Sequence, residues 1–203
     1  TMNKNVNLRI SIENYFEAIA NIRKHGLAVW GTMVFGNDAD TPETFKQVAD
    51  FVLDSHVDIM TCGILCPFIN TPLYHRLNGD GRLFRTNFPE DWKYYTSHHL
   101  TYVLKNMSLQ ELIDGFQYLY DRIYATEVLR QRFQNAKEVL KENMNAAMFA
   151  FRVNLDWQSV YQHLIQNLKE LQTSGFYDEA LKRFNQSKRA GKKVELTPIE
   201  VSS

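Results

Sequence analysis

The sequence predicts an α/β segment followed by an all-α segment: a partial (β/α) barrel with two parallel strands, then an α-helical extension. Three observations carry this expectation. Residues 27–35 (LAVWGTMVF) and 57–67 (VDIMTCGILCP) are short, nearly unbroken apolar runs rich in β-formers, the pattern of parallel strands buried on both faces. Between them Phe45, Val48, Ala49, Val52 and Leu53 recur at helical spacing, which makes a strand–helix–strand unit with a right-handed crossover. From Ser108 onward the apolar series keep helical spacing throughout.

The elements follow in order. Residues 11–25 form a first helix with Ile12, Tyr15, Phe16, Ala18, Ile19 and Ile22 on its inward stripe. Ser11 serves as its cap, and Gly26 ends it in the left-handed conformation that glycine adopts at little cost. Residues 36–40 make a polar loop, and Thr41 caps the next helix, with Pro42 at its first position. Residues 71–77 begin another helix after a turn. Residues 88–106 are aromatic and mixed, and 99–104 suit a short edge strand. Ser108, Glu111 and the two residues between them read as a capping box, opening a helix with Leu112, Phe116, Leu119, Tyr120 and Ile123 inward. Helical spacing continues over 126–143, 146–153 and 156–171, with Asp156 as a cap, and 176–184 is a last short helix. The division expected is 1–82 for the C-terminal part of a barrel, 83–186 for a helical domain and 187–203 for a flexible tail. Two parallel strands close neither a sheet nor a barrel. Their missing neighbours are expected upstream of residue 1 or on another chain.

Composition excludes several classes. The 23 basic and 23 acidic side chains cancel, so no field favours nucleic acid or an anionic membrane. No run approaches the ~20 apolar residues of a membrane span, and no signal peptide is visible. Two cysteines are too few for a disulfide framework and suit a reducing compartment. A cytoplasmic location is the expectation.

The run Gly31-Thr-Met-Val-Phe-Gly36, followed by Asp38, Asp40 and Thr41-Pro42, resembles the fifth strand and turn of radical S-adenosylmethionine enzymes. Residues 66–74 (CPFINTPLY) resemble their sixth strand and its turn, with Ile69 and Asn70 standing where proline and glycine are usual. Trp92, Tyr95, His99, the Asn106-Met107-Ser108 run, Glu111, Gly115, Tyr120 and Tyr124 resemble the helical domain that follows the barrel in cobalamin-binding members. The hopanoid methylase-like group is the best-known relative. The joined matches cover most of residues 5–125.

The resemblance implies a site at the C-terminal ends of the strands, where parallel barrels place their ligands. The cofactor is S-adenosylmethionine. Backbone from Met33 through Phe35 to Gly36 would line its adenine or methionine moiety, with Gly36 admitting the ligand because it has no Cβ. Leu65, Pro67 and Phe68 would wall the adenine, and Asp38 would bond to a ribose hydroxyl or amine. All of these read equally as core or turn residues, and Asp40 reads first as support for the next helix N-terminus. A 4Fe–4S cluster and cobalamin are expected in the full-length protein only. The cluster's C-x3-C-x2-C triplet and the cobalamin domain are absent here, so the partners implied are an N-terminal barrel part and a cobalamin domain. A small-molecule substrate is expected, and Trp92, Tyr94, Tyr95 and Tyr102 read as core or as a cap over a hydrophobic one.

Two other constellations read as structural. Cys62 and Cys66 are four apart, so on one strand they lie about 13 Å from each other at ~3.3 Å per residue, and no third thiol exists to complete a cluster. Adjacent His98 and His99 would face opposite sides of a strand and cannot serve one site. The fragment is therefore expected to be inactive alone, as part of a methyl-transferring or related radical enzyme. The competing expectation is a non-catalytic helical module that docks a partner, with an uncovered edge that drives self-association. An α/β hydrolase or other transferase finds no nucleophile elbow, phosphate loop or metal spacing in support.

Overall fold

The computed structural model describes residues 12–190. The Ser11 cap and residues 191–203 of the expected tail lie outside the described residues. Helix α1 spans Ile12–Lys24, and Gly26 follows it at φ 75°. Strand β1 (Trp30–Phe35), helix α2 (Pro42–Ser55) and strand β2 (Ile59–Ile64) then form the strand–helix–strand unit. The strands pair in parallel, from Trp30 beside Ile59 to Phe35 beside Ile64. Helix α3 covers Pro72–Gly79 and starts at Thr71, whose Oγ1 accepts from the Tyr74 N–H at 3.2 Å. An α/β part followed by helices is what the apolar spacing predicts.

The helical part is α4 (Leu109–Leu119), a π-turn over Tyr120–Tyr124, α5 (Thr126–Val139), α6 (Met144–Thr173) and α7 (Phe176–Ala190). The capping box forms: Ser108 N–H donates to Glu111 at 2.7 Å, and Glu111 N–H donates back to the Ser108 hydroxyl at 3.1 Å. Three expectations change here. The stretch 146–171 is one helix without a break at Asp156, and Asn154 within it donates its amide to the Asp58 carbonyl at 2.7 Å rather than ending the helix. The cap is Asn143, which accepts from Ala146 N–H. Residues 99–104 make no edge strand. They form a single antiparallel bridge, Leu83 to Tyr102, inside the core, where Thr101 is fully buried. Finally, α7 continues through Ala190 rather than ending near Phe184.

One face of the sheet carries the core. In a parallel pair, side-by-side residues share a face, so Gly31, Met33 and Phe35 stand with Met60, Cys62 and Ile64. Phe35 stacks on Phe45 of α2 at 4.3 Å, and Phe116 of α4 meets both rings edge-on at 5.6 and 5.5 Å. Gly115 makes this possible, since a Cβ there would lie 2.4 Å from the Phe45 ring. Tyr124 and Tyr161, 4.5 Å apart, extend the same layer behind Met60 and Cys62. These buried aromatic faces supply much of the driving force for joining the helices to the sheet.

The N-terminal end of β2 is anchored by a buried ion pair. Arg23 Nε lies 3.1 and 3.2 Å from the Asp58 carboxylate oxygens, and Val29 N–H donates to the same carboxylate at 2.9 Å. Arg132 donates to the Val57 and Asp58 carbonyls, and Arg23 donates to Asn135 at 2.7 Å. A buried carboxylate demands this many partners, since an unpaired one costs several kcal/mol (~3–5).

Candidate cofactor-binding face

The other sheet face carries Trp30, Thr32 and Val34 beside Ile59, Thr61 and Gly63. β1 is not buried on both faces, as its apolar run predicts: Trp30 is 51% and Val34 40% exposed, and Thr32 is exposed as well. The Phe35 side is covered by α2 and α4, through Phe45 and Phe116. β2, by contrast, is buried along its whole length. Its outer edge meets residues 96–99, where Ile64 N–H donates to the Ser97 carbonyl at 2.7 Å. Ser97 also fills the space above Gly63, where a Cβ would lie 2.9 Å from the serine's own. The open face is thus a strip along β1, apolar at Trp30 and Val34 and polar between them. Thr32 Oγ1 lies 3.1 Å from Thr61 Oγ1, and the Trp30 indole N–H donates to that same Thr61 oxygen at 3.3 Å.

The residues singled out in the sequence separate into groups. Met33 and Phe35 direct their side chains into the helix-side core, leaving only backbone for a ligand. Gly36 has φ 98°, a conformation that favours glycine. The room left by its missing Cβ is already taken: a Cβ would sit 2.5 Å from the Tyr102 hydroxyl, which donates to the Gly36 carbonyl at 2.9 Å. Asp38 pairs with buried Arg82 at 2.6 Å instead of standing free. Asp40 staples the loop start, accepting from Gly36 and Asn37 N–H at 2.9 Å each. Leu65 is half-buried, Pro67 buried, and Phe68 is 58% exposed just beyond the end of β2. Asn70 adopts φ 64°, so the turn keeps a left-handed residue where glycine is usual, asparagine being among the side chains that tolerate it.

The cysteines and histidines are occupied structurally. Cys62 lies on the helix side against Tyr161, and burial pushes its thiol up to about 12; burial raises Cys66, beyond the strand end, to about 11. Such thiols stay protonated and are poor metal ligands. Among the described residues no three His, Cys, Asp or Glu side chains come together as a metal-binding group. His98 and His99 lie in a turn rather than a strand. His98 rests against Trp157, and His99 Nδ1 lies 2.9 Å from the Thr96 hydroxyl. Burial lowers both imidazoles, His99 further through His98 and Arg85. No helix of the described residues is long and apolar enough to cross a membrane.

Sequence reasoning missed Trp30, Thr32 and Thr61. Their signal was the period-2 placement of Trp30, Thr32 and Val34 within a run that reads as uniformly apolar. It also missed the Arg23–Asp58 pair, although a carboxylate set inside the apolar run at residue 58 requires a buried partner.

Residues 71–186, more than half of the chain, match the family described as Domain of unknown function (DUF4070), and the chain belongs to that family. Three curated relatives extend the likeness into the strands. Bacteriochlorophyllide d C-12(1)-methyltransferase of Chlorobaculum tepidum is 27% identical over 134 residues, 66% of this chain and 27% of that protein. Bacteriochlorophyllide d C-8(2)-methyltransferase of the same organism is 27% identical over 155 residues, 71% of this chain and 33% of that protein. Hopanoid C-2 methylase of Rhodopseudomonas palustris is 27% identical over 164 residues, 77% of this chain and 30% of that protein. The chain spans a third or less of the length of these relatives. No solved structure matches it. The resemblance to the hopanoid methylase-like group is borne out.

Proposed function

We propose that this chain is the C-terminal part of a cytoplasmic radical S-adenosylmethionine enzyme, cobalamin-dependent and active in methyl transfer or related radical chemistry. The observation that carries this reading is the one-sided burial of β1. A (β/α) barrel puts helices outside and ligands inside at the C-terminal ends of its strands. Here α2 and α4 cover the Phe35 side, and the strip Trp30–Thr32–Val34 is left bare on the side that would be the barrel interior. That the three relatives bear methylase or methyltransferase names supports the reaction class.

The residues present fit one wall for S-adenosylmethionine. Val34 and exposed Phe68 offer apolar surface to an adenine ring, with half-buried Leu65 and buried Pro67 behind the strand end. Thr32 offers a hydroxyl that is shared only with Thr61. When bound and reduced by a cluster, S-adenosylmethionine supplies the radical chemistry; this chain's part is to hold it and exclude water. Gly36 and Asp38 serve as loop-shaping residues in this reading, and Met33 and Phe35 contribute backbone alone. The residues do not fit a 4Fe–4S cluster, because the chain has two cysteines, Cys62 buried within β2 and Cys66 beyond the strand end, and no third thiol to complete a site. The cluster, the cobalamin domain and most of the barrel therefore belong to an upstream partner segment, and the fragment alone is inactive.

The test is the coding sequence upstream of residue 1. A C-x3-C-x2-C triplet within one barrel's length is expected, together with methyl transfer by the longer polypeptide once loaded with iron, sulfide and cobalamin. A longer polypeptide with no triplet would sink the enzyme reading. It would leave the alternative of a helical docking module, which the bare strip of β1 also suits.

A further inference from the structure

A second place in the molecule has the makings of a ligand site, away from the open strand face. Between residues 94–100 and the C-terminal end of α6 lies a cavity of about 240 Å³. Its lining combines Arg85, Tyr94 and His99 with Leu100, Asn167 and Leu171, and Glu170 and Ser174 line it as well.

Arg85 is the unusual member. Its guanidinium is held between two aromatic rings, 4.0 Å from the Tyr94 centroid and 4.2 Å from that of Phe176. Stacking fixes the plane of the guanidinium and leaves its N–H edge as the part available to a partner. The nearest carboxylate, Asp91, is 3.8 Å away, outside hydrogen-bond range, and its other oxygen is taken by the Asn87 N–H at 2.8 Å. The Arg85 side chain is only 21% exposed, yet among the described residues its guanidinium donates no hydrogen bond to another group. A planar, oriented fork of donors is what a carboxylate accepts in bidentate fashion. Asn167 donates its Nδ2 to the His98 carbonyl, 3.2 Å away, which fixes the amide beside the cavity. Leu100, Leu171 and the Tyr94 ring give the cavity one apolar side, which suits a hydrocarbon body rather than a bare inorganic ion.

We propose that this cavity binds a small organic carboxylate, its oxygens on the Arg85 guanidinium edge and its apolar body against Leu100, Leu171 and Tyr94. The exposed Glu170 carboxylate, tied to Gln166 at 2.8 Å, opposes the ligand's charge at the rim and tunes affinity downward.

The proposal is tested on the whole 203-residue chain by following side-chain NMR signals of Arg85 and His99 during titration with benzoate, inorganic phosphate or chloride at matched ionic strength. Saturable shifts at both residues are expected with benzoate, weaker ones with phosphate and none with chloride. Arg85→Gln should weaken benzoate binding about tenfold or more, the size of a lost charged hydrogen bond. Glu170→Gln, at an exposed site that leaves the fold intact, should tighten it about twofold. Shifts that never saturate, or an affinity unchanged in both variants, overturn the proposal. Phosphate binding as tight as benzoate overturns the assignment of an apolar-bodied ligand.

Discussion

Arg82, the first link between the helical region and the strands, places its Nη1 2.6 Å from the Asp38 carboxylate in the loop after β1. Its Nε donates to the Val103 carbonyl at 2.8 Å, so one side chain ties that loop to the buried bridge between residues 83 and 102. Tyr102 and Asn106 add bonds to the Gly36 and Asp38 carbonyls. The loop at the open end of β1 is therefore shaped by the domain that follows it in sequence. Removing the carboxylate with Asp38→Ala leaves the guanidinium, only 5% exposed, without its counter-charge. A loss of about 1–3 kcal/mol is expected in urea unfolding, discounted because Asp38 itself is partly solvated. Asp38→Asn, which keeps an acceptor oxygen, should lose less. Equal and negligible losses for both would show that the pair holds nothing.

The join between sheet and helices is tested at Gly115. Gly115→Ala drives a methyl group into the Phe45 ring, and overpacking of this kind costs about 1–3 kcal/mol. Gly79→Ala is the matched comparison. It sits at the end of α3 with nothing within 4 Å of the added carbon, so it should be neutral or stabilising by up to about 1 kcal/mol. Thermal unfolding of the two variants side by side checks the contrast. If Gly115→Ala melts like the parent chain, the Phe35–Phe45–Phe116 contact is looser than described.

The thiols give stability a defined pH dependence. Burial lifts Cys62 from an ordinary 9.0 to about 12 and Cys66 to about 11. Above pH 9.0 the unfolded chain loses these protons while the folded chain retains them, so the unfolded state binds fewer protons and gains. Stability is intact below that pH and falls as pH rises toward about 12. Burial raises Tyr102, Tyr124 and Tyr161 as well, adding the same sign above 10.0. Urea midpoints should drop between pH 9.0 and 10.0, and Cys62→Ala should lessen the drop. A midpoint that climbs over this interval contradicts the burial of both thiols.

The order of elements was legible because apolar periodicity, the Ser108–Glu111 box and the glycine after α1 are local signals. What escaped was orientation. Period-2 strands do not say which face meets the helices, so the sequence offers Met33 and Phe35 to a ligand through their backbone without showing that Trp30 and Thr32 occupy the open face. Asp38 read as a free loop carboxylate because its partner, Arg82, lies 44 residues away. Asp156 looked like a cap because a side chain's capping chemistry is visible in sequence, while the long-range bond of Asn154 to Asp58 that accompanies an unbroken α6 is not.

The bare strip of β1 is the face proposed for S-adenosylmethionine. Val34 is 40% exposed at the C-terminal end of that strip, so Val34→Glu leaves the core untouched. The most direct measurement is calorimetric titration of S-adenosylmethionine into the longer, cluster-loaded polypeptide, with Val34→Glu compared against Lys46→Ala on the solvent side of α2, exposed beside Glu43. A drop in affinity of about tenfold or more for Val34→Glu, with Lys46→Ala unchanged, is the predicted result for a charge set against an apolar ligand surface. Equal affinity in both variants would contradict the assignment of this face to the cofactor.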